Sequence, residues 1–172
     1  MLSLFRLLKT LQGKWFHSSS RLMADIVTPE KRSSMMSGIK CRDTKPEIIL
    51  RKALYHSSLR YRLYSKNLPG KPDLVLKKYN AVIFIHGCFW HGHDCSLFKW
   101  PKTRPEFWRN KIEGNQRRDN EVITQLDAKG WRIAIIWECA LKQQSDENIA
   151  ILVSEVVSWL KSDSRTLVLP MA

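Results

Sequence analysis

The stretch GKPDLVLKKYNAVIFIHGCFWHGHDC, Gly70 to Cys95, decides how this chain is read. Pro69-Gly70-Lys71-Pro72 is a turn cluster, and the apolar runs Asp73–Leu76 and Ala81–Ile85 flank the polar tip Lys77-Lys78-Tyr79-Asn80. Two such runs about a polar tip predict an antiparallel hairpin. The second run shows no alternation, as expected of a strand covered on both faces. With the tip near Lys78-Tyr79, Asp73 is predicted to lie opposite Ile85. Three His and two Cys then follow within ten residues, His86 to Cys95, directly off the buried strand.

Outward from this core the chain alternates helix and strand. Thr28-Pro29-Glu30 has a cap residue, a Pro at the first helical position and an acid in the first turn, so it opens a helix that Gly38 closes. Thr44-Lys45-Pro46-Glu47 fits a capping box, with a helix through Ile48, Leu50, Ala53 and Leu54. Arg60 to Tyr64 reads as a short strand. A long helical pattern runs from Pro105 to about Lys129, with Trp108, Ile112, Val122, Ile123 and Leu126 on its inner side and Gly114 as a point where it can bend. Trp131 to Trp137 is a second wholly apolar strand, and residues 146–160 form an amphipathic helix. The result is an α/β layer fold. Residues 161–172 read as a tail.

Composition narrows the class. The 172 residues include 29 Lys or Arg against 16 Asp or Glu, a formal charge of +13. Such an excess points to a polyanionic partner, nucleic acid before a membrane surface. Residues 31–66 carry ten bases and two acids, and residues 99–118 seven and two, whereas residues 140–172 carry three bases and four acids. With 44% apolar residues and seven each of Gly and Pro, a disordered or collagen-like chain is excluded. No run of 18 apolar residues predicts a membrane span. Four Cys in a chain this long do not form a disulfide framework.

Residues 1–22 stand apart, with four bases, no acid and the run Ser18-Ser19-Ser20. They fit a mitochondrial presequence. The reading preferred here is an upstream extension of a chain starting at Met23-Ala24-Asp25, which leaves a bacterial, cytoplasmic, nucleoid-associated protein. Without them the charge is still +9.

Three groups of residues carry chemistry. Cys88, His93, Cys95 and Cys139 form a thiolate and imidazole set suited to tetrahedral zinc, and four protein ligands leave no open position, so that site is structural. A merely buried Cys139 is the plainer reading of that residue, and Cys41, in a basic polar segment, is left out of the set. His86 and His91 then remain, near Asp73 and the end of the Ala81–Ile85 strand. A carboxylate beside the Ile85 backbone carbonyl is a hard-oxygen site for magnesium, and an imidazole next to it can serve as general base on an attacking water. The third group is aromatic: Phe89-Trp90 in a loop between metal-site residues, with Trp100 and Trp108 nearby. Flat side chains on a cationic surface can wedge between bases. Trp131, Trp137 and Trp159 read as core.

The order GKPD (70–73), FIHGCFWHGHDC (84–95), RPEFW (104–108), NQRRD (115–119) and WECAL (137–141) resembles the very-short-patch mismatch repair endonucleases, the Vsr family, from about Met23 to Leu141. Members typically begin near Met-Ala-Asp, which favours Met23 as the start. The resemblance implies a three-layer α/β/α core like that of type II restriction endonucleases, with a central mixed sheet, over residues 23–160. It implies a magnesium-dependent nick 5′ to the T of a T:G mismatch, the product of 5-methylcytosine deamination. Asp73 is then the magnesium carboxylate, His91 the general base, and His86, Glu47 and Asp119 assisting groups. Phe89, Trp90 and Trp108 correspond to the intercalating wedge, and Cys88, His93, Cys95 and Cys139 to the zinc ligands. The chain departs from the pattern at Ile85, where members carry Thr; a backbone carbonyl makes that exchange harmless, a required hydroxyl does not. The expected partner is double-stranded DNA with a T:G mismatch, bound by a monomer, with mismatch-repair accessory proteins as further candidates. Two rivals stand beside this reading: a restriction-type endonuclease on the same scaffold, and a zinc-stapled DNA-binding protein without catalysis.

Overall fold

The computed structural model describes residues 27–38, 42–142 and 144–170. The readings made for residues 1–22, for Met23 as a start and for Cys41 lie outside them. Helices α1 (Pro29–Ser37) and α2 (Lys45–His56) come first, and Thr28 and Thr44 cap them through their side chains. Strands β1 (Arg62–Leu63), β2 (Leu74–Leu76) and β3 (Ala81–His86) follow, then the short helix α3 (Cys88–His91) and the long α4 (Pro105–Ala128). Strand β4 (Arg132–Trp137), helix α5 (Asp146–Lys161) and strand β5 (Thr166–Leu169) complete the order. No helix among the described residues is long and apolar enough to cross a membrane.

The five strands form one mixed sheet in the order β1-β2-β3-β4-β5, antiparallel up to β3 and parallel beyond it. Side chains alternate across β3, as period two demands. Ala81 and Ile83 join the cluster built by Leu50 and Leu54 of α2 and by Val153 and Val156 of α5. Val82 and Phe84 join Leu126, with Val122 and Ile123, of α4. Helices therefore cover both faces, which explains the missing alternation in β3. Each fully buried Leu or Ile here stabilises the fold by roughly 1.5–3 kcal/mol.

Three sequence readings shift. The hairpin pairs Leu74 with Ile83 and Leu76 with Ala81, a register that puts Asp73 opposite Phe84 rather than Ile85. The tip is a 3₁₀ turn, Lys77–Tyr79, closed by Asn80 in the left-handed region at φ 47°, a conformation Asn tolerates. Phe89-Trp90 lies in helix α3 instead of a loop. Residues 161–172, set apart as a tail, contain β5, which lies parallel beside β4.

Candidate active site and metal centre

The parallel register pairs Ile85 with Ile136 and His86 with Trp137, so β3 and β4 end side by side. The residues that follow each strand, Gly87-Cys88 and Glu138-Cys139, are thereby delivered to the same edge. Cys88 starts α3, and the turn after it returns His93 and Cys95 to the same place. The four ligand atoms of Cys88, His93, Cys95 and Cys139 lie within 4.8 Å of one another. His93 Nδ1 is 3.6 Å from Cys88 Sγ and 3.5 Å from Cys139 Sγ. A tetrahedral zinc, with Zn–S about 2.3 Å and Zn–N about 2.0 Å, separates sulfur from nitrogen by about 3.5 Å. The donor set therefore fits zinc in chemistry and in spacing. Burial pushes the Cys88 thiol up to about 12, so a cation is what would make it a thiolate. Around the set, the His93 ring stacks on Trp137 at 4.2 Å and 8°, and Cys88 N–H donates to Glu138 Oε2 at 3.3 Å.

Beyond this cluster, at the ends of β2 and β3, a cleft of about 220 Å³ is lined by Lys71, Asp73, Ile85, His86, His91 and Asp119 among others. Ile85 N–H donates to Asp73 Oδ2 at 2.8 Å, so the register shift leaves Asp73 in touch with Ile85 through its side chain. Burial pushes the Asp73 carboxyl up to about 6, against the pull of that N–H. Ile85 N–H is its only side-chain hydrogen bond among the described residues. A half-buried carboxylate with one hydrogen-bond partner and acceptor capacity to spare fits a hard divalent cation.

His91 comes from the last residue of α3, and its Nδ1 is 2.5 Å from Asp119 Oδ2 on α4. With Asp119 as a carboxylate acceptor, that contact puts the ring proton on Nδ1 and leaves Nε2 with its lone pair. The His86 ring stacks on His91 at 4.0 Å and 7°. Burial, then the neighbouring His91, holds His86 down at about 4, so it stays neutral near pH 7. His86, His91 and Asp119 are close enough to be weighed as a metal set. Two parallel rings, however, cannot both aim an in-plane lone pair at one ion.

Two glycines set this geometry. Gly92 has φ 65°, and a Cβ there would lie 2.8 Å from both Ile112 Cγ2 and Gln116 Nε2 of α4. Gly70, at φ 68°, would place a Cβ 2.4 Å from Val122 Cγ1. Both let the cleft rim sit directly on α4. Gln116 Nε2 and Asn115 Nδ2 also donate to the carbonyls of His91 and Trp90, at 2.9 and 2.7 Å.

Glu47 stands apart from the cleft wall. It is buried, and its Oε2 accepts from Arg51 Nη2 at 2.5 Å, Tyr64 O–H at 2.7 Å and Asp43 N–H at 3.1 Å. Its charge raises the Asp73 carboxyl, which places it within electrostatic reach of the site. In this arrangement Glu47 is held by Arg51 and Tyr64.

The aromatic residues converge. Phe89 meets Trp90 at 5.3 Å and Trp108 at 5.2 Å, both edge-on, and Trp90 lies 6.2 Å from Trp108. Trp108, expected on the inner side of α4, instead packs at its N-terminal end against α3. Sequence reading assigned Trp137 to the core. It lies between the two functional clusters, under His93 and 5.3 Å from His86. Its position directly before Glu138-Cys139 was the available signal.

A family model described as DNA mismatch endonuclease Vsr matches residues 24–97. The chain is 44% identical over 136 residues to a type II nicking enzyme of Neisseria meningitidis, covering 78% of this chain and 97% of that protein. It is 43% identical over 119 residues to a type II nicking enzyme of Xanthomonas oryzae, covering 69% and 88%. With the DNA mismatch endonuclease Vsr of Escherichia coli K12 it shares 44% over 138 residues, covering 80% and 88%. Identity above 40% across most of three proteins from three bacteria leaves one conclusion for a chain whose cleft joins a carboxylate to a supported imidazole: it belongs to the Vsr DNA mismatch endonuclease family and is a DNA endonuclease.

Proposed function

We propose that this endonuclease nicks one strand of duplex DNA, 5′ to the T of a T:G mismatch, by magnesium-dependent hydrolysis. The observation that carries the reading is His91, tied to Asp119 through Nδ1 and lining the same cleft as Asp73. His91 Nε2 takes the proton of the attacking water. Asp119 fixes the tautomer and stabilises the imidazolium that forms. Neutral His86 supports the ring by stacking and adds no second positive charge. The water oxygen bonds to phosphorus as the bond to the leaving sugar oxygen breaks. Magnesium held by Asp73 and the Ile85 carbonyl supplies charge stabilisation at the phosphate when bound. On this reading the hydroxyl absent at Ile85 is dispensable. Cys88, His93, Cys95 and Cys139 would hold a zinc that fixes α3 and with it His91.

Phe89, Trp90 and Trp108 form the wedge. A wobble pair is cheaper to unstack and deform than a matched pair, so insertion is favoured at the mismatch. The layered sheet supports the likeness to restriction-type scaffolds. The substrate is double-stranded DNA met by a monomer, and accessory repair proteins remain candidates as partners.

A nicking assay tests this on T:G and T:A duplexes of one sequence, in magnesium and in chelator. The expected result is a cut on T:G in magnesium alone, with T:A slower by at least about tenfold. Two of the relatives are named type II nicking enzymes. Equal cutting of both duplexes would favour that restriction-type reading over mismatch repair.

A further inference from the structure

A second exposed aromatic face lies beyond the wedge of Phe89, Trp90 and Trp108. Trp100 is 51% exposed and Phe107 is 46% exposed, high values for side chains of this size. Trp100 meets Phe98 edge-on at 5.0 Å, and Phe98 lies 6.3 Å from Phe89, so the face is continuous with the wedge. Each exposed ring carries a guanidinium: Arg109 is 5.9 Å from the Trp100 centroid and Arg104 is 4.4 Å from that of Phe107. Both arginines belong to the basic zone of residues 99–118. A half-exposed indole with a cation at its face suits one chemistry well, a nucleobase π-face with its phosphate alongside. The centroid steps from Trp100 to Phe89 put the two rings within about three 3.4-Å base steps of each other.

We infer that Trp100, with Arg109 beside it, is a second stacking platform that takes a base of the bound DNA within three nucleotides of the mismatch. The inference rests on the reading of Phe89, Trp90 and Trp108 as a DNA-facing wedge and extends it to a separate contact. The wedge opens the mispair, and Trp100 holds a neighbouring nucleotide in the displaced geometry.

The test measures binding of T:G duplexes by fluorescence anisotropy, without magnesium, for the full chain and for Trp100→Ala, Trp100→Phe, Arg109→Ala and Trp90→Ala. In parallel, 2-aminopurine is placed singly at the three positions on each side of the mismatch. Trp100→Ala is expected to weaken binding roughly tenfold, within the range for one lost base–aromatic stack, and Trp100→Phe to recover most of it. Arg109→Ala is expected to lower the slope of log affinity against log salt by about one, a slope Trp100→Ala leaves unchanged. The 2-aminopurine signal should change for Trp100→Ala at a position where Trp90→Ala leaves it intact. Binding within twofold of the parent together with an unaltered 2-aminopurine pattern overturns the platform. So does a loss that Trp100→Phe fails to restore while that pattern stays unaltered. If Trp90→Ala weakens binding and Trp100→Ala does not, only the platform fails. If both are silent, the wedge falls with it.

Discussion

Burial holds the Asp73 carboxyl at about 6 instead of its ordinary 3.8, so near pH 7 the fold keeps a carboxylate that its surroundings disfavour. Between those two values the folded chain binds a proton that the unfolded chain has released. Stability therefore falls as pH rises through that window, and the full cost stands above it. Asp73→Asn can keep an acceptor for the Ile85 N–H and remove the charge. In metal-free buffer it is expected to gain about 1–2 kcal/mol at pH 7.5 and nothing near pH 3.5, read by urea titration at both. The same variant should lose nicking altogether, a trade of activity against stability. For the parent enzyme, nicking should fall on the acid side with a midpoint near 6, moving to lower pH as magnesium rises, because cation and proton compete for one carboxylate. His91→Ala should lower kcat by about 10²–10⁴ at unchanged DNA affinity, and Asp119→Asn by about 10² or more, in single-turnover assays. At this scale the thiol and imidazole set was legible, since four strong ligands sit at strand ends in the sequence itself. Asp119 was not legible locally. It lies 28 residues from His91, and only the family resemblance pointed to it.

Helix α3 carries little core of its own: Cys88 is its one buried residue. Its placement rests on the metal set at one end and on Gly92 against α4 at the other. Gly92 stands between His91 of the cleft and His93 of the cluster, so one added methyl tests both together. Gly92→Ala adds strain at a positive φ and a 2.8 Å clash, and it should lower zinc content and nicking in parallel, read by metal analysis and a nicking assay. Zinc removal by a strong chelator should cost several kcal/mol, lowering Tm by roughly 10 °C or more, with Cys139→Ser producing a similar loss. The hairpin was legible because two apolar runs bracket four polar residues. Its register was misplaced by one because a 3₁₀ turn at the tip is indistinguishable from an open loop in sequence. Strand β5 was missed for a different reason. Its four residues follow a Ser- and Asp-bearing turn, and as a sheet edge it exposes Thr166 and Val168 while burying Leu169, a half-buried pattern too short to separate from a tail.

Charge is distributed over the whole molecule in a way that matches the site. The two basic zones flank, along the chain, the segment that supplies α3 and the cleft; the first includes α2, which packs with α5 on one face of the sheet, and the second opens α4 on the other, while the C-terminal part that holds α5 is slightly acidic. DNA affinity should therefore depend steeply on salt: neutralising about five phosphates loses on the order of 500-fold between 50 and 200 mM. Charge counts alone made a polyanionic partner legible, but the convergence of the two clusters at one sheet edge depended on the parallel pairing of β3 with β4. The strands occupy the sheet in the order in which the chain is made, from β1 at one edge to β5 at the other. A growing polypeptide can thus lay each new strand against one already in place and never has to thread between two. Asp119 emerges after Asp73, His86 and His91, and Cys139 later still. Until translation has passed that last cysteine, the thiol and imidazole set lacks its fourth member, although Asp119 is already present to meet His91.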